Sequence, residues 1–129
     1  MVSAKTKERK PTRPRGRRKV KGIPTRKVGR IMRHIKAHLK ELYGSEVRQV
    51  VLYGSHARGE ATNDSDIDVA IIVSDNMDRR AVELSLEDIL FDVLADDGEL
   101  VSIVTMPENM FKDLSSPYIM NVKEDGVVI

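Results

Sequence analysis

Leu52–Val73 reads LYGSHARGEATNDSDIDVAIIV, and two aspartates stand at the head of its apolar run. Asp66 and Asp68 lie two residues apart and lead directly into Val69, Ala70, Ile71, Ile72 and Val73. Carboxylates are rarely taken into such a run unless they are paired or bind a metal. In an extended strand, residues i and i+2 project from one face, which puts the two Cα atoms about 7 Å apart. Two carboxylates so placed repel each other when empty and can share one divalent cation. Mg²⁺ suits them, because it takes one or two carboxylates and completes its shell with water and substrate phosphate. The bland alternative is a pair of strand-entry charges facing solvent.

The residues just upstream supply complementary chemistry. Gly54-Ser55 directly follows VRQVVLY (residues 47–53), a β-branched stretch that reads as a strand. Glycine there allows a sharp turn and close approach of a ligand to the backbone. The Ser55 hydroxyl and nearby N–H groups can donate to phosphate oxygens. If SHAR (residues 55–58) opens a short helix, its N-terminus adds a favourable place for an anion. Arg58 is a further candidate phosphate contact, and Ser65 a candidate hydrogen-bond donor to the acidic loop. His56 and Asp64 read as exposed loop residues and Gly59 as a turn residue. Gly54 and Ser55 could instead serve only as turn and cap. Phosphate donors and paired carboxylates at one sheet edge are what phosphoryl or nucleotidyl transfer requires.

The remainder of the chain frames this core. Val28, Ile31, Met32, Ile35, Leu39 and Leu42 recur at helical spacing, predicting an amphipathic helix from about Thr25 to Gly44. DIDVAIIV predicts a second strand. Asp75 or Asn76 is a candidate cap for a following helix with the stripe Val82, Leu86, Ile89, Leu90, Val93 and Leu94, ended by Gly98. LVSIVTM predicts a third strand, Pro107 a short helical turn, SSPYIMNVKED a last helix stopped at Gly126, and VVI a closing strand. The order gives an α+β domain built on a small mixed sheet.

With 129 residues the chain fits one domain. It has no cysteine, which excludes disulfides and thiolate metal sites and suits a reducing cytoplasm. No apolar run approaches the roughly 20 residues of a membrane span. Charge divides the chain. Residues 1–30 carry 13 Lys and Arg against one acid, leaving 9 basic and 19 acidic residues for the rest. Residues 1–24 are expected to form a disordered basic tail, since they have too few large apolar side chains to offset ordering entropy. Such a tail can touch nucleic acid through phosphates, or be only a solvated extension. Residues 25–129 form the expected domain.

Gly54-Ser55, ten intervening residues, then Asp66-Ile67-Asp68 spells GS-x10-D-x-D. That resembles the signature of the polymerase-beta-type nucleotidyltransferase superfamily. The wording GSHARGEATNDSDIDVAIIV and the ending NVKEDGVVI resemble its minimal nucleotidyltransferases, over roughly residues 25–129. The resemblance implies a nucleotidyltransferase (polymerase-beta-like) fold, ATP or another NTP as substrate, Mg²⁺ as cofactor, and transfer of a nucleoside monophosphate. It assigns Asp66 and Asp68 as metal and catalytic residues and Gly54, Ser55 and Arg58 to the nucleotide. It implies an antitoxin that adenylylates a HEPN-domain toxin, typically on tyrosine. Active members usually carry a third carboxylate on the next strand. Here that place falls to Ser102, with Glu99, Asp96 or Asp97 as possible substitutes. The competing readings are an antitoxin acting by contact alone, and nucleotide transfer to a small molecule. Relatives of the latter kind usually hold the acceptor with a second domain, for which this chain is short.

Overall fold

The computed structural model describes residues 25–129; the expected basic tail, residues 1–24, lies outside them. Helix α1 spans Arg26–Tyr43. The Thr25 side chain accepts from the Val28 N–H at its start, and Gly44, at φ 56°, ends it. Its buried stripe is Val28, Gly29, Ile31, Met32, Ile35 and Leu39, as the spacing predicts except at Leu42, which is exposed in the last turn. Each large apolar side chain so buried contributes about 1.5–3 kcal/mol. A 3₁₀ turn at Gly44–Glu46 leads into β1, Val47–Tyr53.

After β1 come α2 (Ser55–Arg58), β2 (Ile67–Val73), α3 (Arg79–Ser85), α4 (Glu87–Asp97) and β3 (Val101–Pro107). Then α5 (Glu108–Phe111), α6 (Pro117–Asp125) and β4 (Val127–Val128) complete the domain. The sheet order is β3-β2-β1-β4. Strands β1 and β2 pair antiparallel, β1 and β4 antiparallel, and β2 and β3 parallel, so the sheet is mixed, as expected. The helical crossover α3–α4 is what allows β2 and β3 to run in the same direction.

β2 is central and almost continuously buried, which explains its unbroken Val-Ala-Ile-Ile-Val run. One face of the sheet, with Val50, Leu52, Val69, Ile71 and Val73, packs on α1 and the α3–α4 crossover through Val28, Ile31, Val82 and Leu86. On the other face Val51, Ala70, Ile72 and Met106 pack on Ile119 and Val122 of α6.

The structure corrects two expectations in the crossover. The single helix expected there is two, broken at Leu86. His38 Nε2–H, from α1, donates to the Ser85 carbonyl at 2.9 Å, and Ser85 Oγ donates to the Val82 carbonyl at 2.7 Å. These bonds draw backbone acceptors out of the helical ladder. The N-cap of α3 is Asp78, which accepts from the Arg80 and Ala81 N–H groups. Asp75 instead accepts from the Asn109 N–H at 2.9 Å and anchors the start of α5.

Candidate functional site

Asp68 is the second residue of β2 and Asp66 immediately precedes that strand. Asp66 is exposed and Asp68 half-buried. The antiparallel register sets Asp68 opposite Tyr53, and the parallel register sets it beside Ser102 on β3. Burial, together with the neighbouring Asp66 carboxylate, pushes the Asp68 carboxyl above its ordinary pKa, while His56 and Arg58 pull it down. An electrostatic cost of that kind is what a cation would relieve.

Gly54 lies across from this carboxylate. Its backbone, at φ 78° and ψ −157°, is open essentially to glycine alone. A Cβ there would overlap the Asp68 carboxylate and approach its Cγ to 3.1 Å. The turn therefore brings bare backbone against the acidic side chain. It also opens α2, the short helix anticipated at SHAR. The Ala57 and Arg58 N–H groups both donate to the Gly54 carbonyl at 3.1 Å. The earlier N–H groups of such a turn have no intrahelical acceptor.

Tyr53, Gly54, Ser55, Arg58 and Asp68 share one cleft of about 380 Å³ with Tyr118, Asn121, Val122 and Asp125 of α6. Four of the five expected site residues thus lie in one place. Asp66 adjoins it, as the neighbour whose charge Asp68 feels. Arg58 is already engaged: Nε donates to Glu60 and Nη1 to Asp125, each at 2.9 Å. Both pairs raise its pKa. Such partly exposed ion pairs contribute only about 0–1 kcal/mol, so a phosphate could exchange for either carboxylate.

The lesser candidates are also placed. Ser65 Oγ accepts from the Thr62 N–H at 2.9 Å and shapes the loop turn. His56 Nε2 lies 3.5 Å from the Ser65 carbonyl. Asp64 is exposed. None of the suggested stand-ins reaches the third-carboxylate place. Glu99 pairs with Lys27 at 2.7 Å and Asp97 with Arg30 at 2.8 Å, both on α1. Asp96 lines a separate cavity with Arg30 and His34. Among the described residues no group of three or more His, Cys, Asp or Glu side chains is poised to hold a metal ion. Asp66 and Asp68 are two carboxylates, a number Mg²⁺ accepts when water and phosphate complete its shell.

Sequence reasoning missed the wall formed by α6. Tyr53 and Tyr118 are joined through their hydroxyls at 2.7 Å, with rings edge to face at 6.1 Å. Burial, the Tyr118 hydrogen bond and the nearby Asp68 charge push the Tyr53 phenol well above its ordinary pKa. No local signal links residue 53 to residue 118. The only hint was the Tyr118, Asn121, Val122, Asp125 spacing, which puts these side chains on one side of a helix.

Comparison with known proteins identifies the family. Residues 32–129 match the nucleotidyltransferase domain family. Two proteins of Methanocaldococcus jannaschii are similar. One, named "Putative protein adenylyltransferase MJ0604", is 29% identical over 70% of this chain and 86% of its own. The other, named "Putative protein adenylyltransferase MJ1379", is 31% identical over 78% of this chain and 92% of its own. A crystal structure of a toxin-antitoxin MntA-HpeT mutant superposes with a TM-score of 0.49 at 16% identity, over 75% of this chain and 70% of that one. Among the described residues no helix is long and apolar enough to cross a membrane. With its mixed sheet, its Gly54-Ser55 turn and its Asp66-x-Asp68 element, the chain belongs to the nucleotidyltransferase domain family.

Proposed function

We propose that this protein is an Mg²⁺-dependent nucleotidyltransferase that moves AMP from ATP to a hydroxyl of a partner protein. The observation that carries the reading is the Asp68 carboxylate lying against the bare Gly54 turn in one cleft. Asp66 and Asp68 would hold the cation, which when bound supplies positive charge to the phosphates. The Ser55 hydroxyl and the first N–H groups of α2 orient phosphate oxygens. Arg58, released from Glu60 or Asp125, adds a charge-assisted contact. The acceptor hydroxyl attacks the α-phosphorus and pyrophosphate leaves.

The names of the two archaeal relatives favour a protein acceptor. The motif's resemblance to minimal nucleotidyltransferases points to a HEPN-type toxin, with this chain as antitoxin. ATP is expected to bind weakly in EDTA and more tightly with Mg²⁺, because two carboxylates facing a triphosphate repel it until a cation intervenes. Calorimetry in the two conditions checks this, and equal affinity would remove the cation from the proposal.

A second reading, an antitoxin that silences its toxin by contact alone, is favoured by Ser102, the uncharged neighbour of Asp68 on β3. Ser102→Asp is expected to raise the transfer rate by supplying a third carboxylate beside Asp68. A partner that is neutralised yet never acquires AMP, from either protein, would favour contact alone.

A further inference from the structure

Two phenols stand in the cleft, and transfer to an outside acceptor uses neither. Tyr53 ends β1 directly opposite Asp68. Tyr118 lies in the first turn of α6. Their hydroxyls are 2.7 Å apart, and both side chains line the cleft with Gly54, Ser55 and Asp68. Tyr53 is half-buried within the sheet, whereas Tyr118 is 44% exposed. Tyr118 therefore carries a water-accessible hydroxyl one hydrogen bond away from the residue that faces Asp68.

A hydroxyl held inside the cleft has a large advantage over one that must arrive from solution. Well-oriented intramolecular groups react as if present at roughly 10⁵ M or more, so even a poorly aligned internal phenol competes with a micromolar partner. We propose that Tyr118 is an internal acceptor, and that the chain transfers a nucleoside monophosphate from an NTP to its own Tyr118 hydroxyl when no partner occupies the cleft. The proposal rests on the nucleotidyl-transfer reading of the site.

In the step, Tyr118 Oη forms a bond to the α-phosphorus. The bond from that phosphorus to the α–β bridging oxygen breaks, and pyrophosphate leaves with the electron pair. The phenolic proton passes to water at the exposed side of the ring, and nothing is oxidised or reduced. The product is a tyrosyl phosphodiester whose nucleotide stays in the cleft, so the modified chain should bind a second NTP at least tenfold more weakly. Self-transfer is thus also self-inhibition, relieved only if the adduct is removed.

The test is incubation of the full chain alone with Mg²⁺ and ATP labelled at the α-phosphate, followed by tryptic peptide mapping. Trypsin separates the three tyrosines: Tyr43 falls in residues 41–48, Tyr53 in 49–58 and Tyr118 in 113–123. The expected result is one AMP per chain on the 113–123 peptide, formed at a first-order rate that does not change with protein concentration. Mapping the wild type needs no variant to fold. Tyr118→Phe should cut the label at least tenfold, whereas Tyr43→Phe, whose hydroxyl lies on α1 near the Ala81 carbonyl, should not. Calorimetry on the modified chain reads the loss of NTP affinity independently of turnover. Label on Tyr53, label insensitive to Tyr118→Phe, or a rate proportional to protein concentration would overturn the inference. If the wild type labels a supplied partner but never itself, Tyr118 is not an acceptor while the transferase reading stands. If it labels nothing and releases no pyrophosphate, both fall.

Discussion

Asp68→Asn is expected to slow nucleotidyl transfer at least about a thousandfold while leaving the domain folded. The substitution keeps the shape of a side chain that touches the Gly54 turn but removes a charge that the proposed cation would need. A thousandfold corresponds to about 4 kcal/mol in the barrier, a reasonable loss for a primary metal ligand. Stability should move the other way. Burial and Asp66 raise the Asp68 pKa in the fold, so between the unfolded and folded values the native state binds more protons. Stability therefore falls as pH rises through that window, and above it the ionised carboxylate is a net cost without a cation. In EDTA at neutral pH, Asp68→Asn should melt at or above the wild-type temperature. With Mg²⁺ and ATP the order should reverse, because only the wild type gains from linked binding. Labelling by Asp68→Asn at the wild-type rate would remove Asp68 from the chemistry. A lower melting temperature in EDTA would mean that its charge is satisfied by the fold.

The parts of this molecule legible in its sequence are those governed by neighbours a few residues away. Most of the α1 stripe, the strand pair around the GS and D-x-D elements, and the last helix before Gly126 all follow from local periodicity or turn chemistry. What escaped depends on distant partners. The break at Leu86 follows from His38, 47 positions before Ser85. The sequence offered Asp75 or Asn76 as the cap, but Asp75 is taken by the distant Asn109 N–H and Asp78 caps α3 instead. Lys27 and Arg30 took Glu99 and Asp97 to the α1 side of the sheet, which sequence alone could not decide. The cleft is half visible for the same reason. Its β1–α2–β2 wall is contiguous in the chain, whereas its α6 wall is set by Ile119 and Val122 packing on Val51, Ala70 and Ile72.

Gly54→Ala should damage both the stability of the domain and the reaction. Two independent penalties meet there. The backbone at φ 78° and ψ −157° costs a residue with a Cβ about 1–3 kcal/mol. In a domain of this size that lowers Tm by roughly 5–15 °C. The new Cβ would also overlap the Asp68 carboxylate, so either the turn or the Asp68 side chain must move. A displacement of about 1 Å at a reacting centre is enough for a hundredfold loss in rate, and kcat should fall by that much or more even where the domain stays folded. Gly59→Ala separates the two effects. Its φ of 75° is also left-handed, but nothing lies within 4 Å of its Cβ position, so it should lower Tm by a few degrees and leave kcat within a few fold. If Gly54→Ala lost only stability, as Gly59→Ala should, the contact between the turn and Asp68 would have no part in the reaction. A folded Gly54→Ala protein that no longer gains ATP affinity on adding Mg²⁺ would place the damage at the Asp68 carboxylate itself.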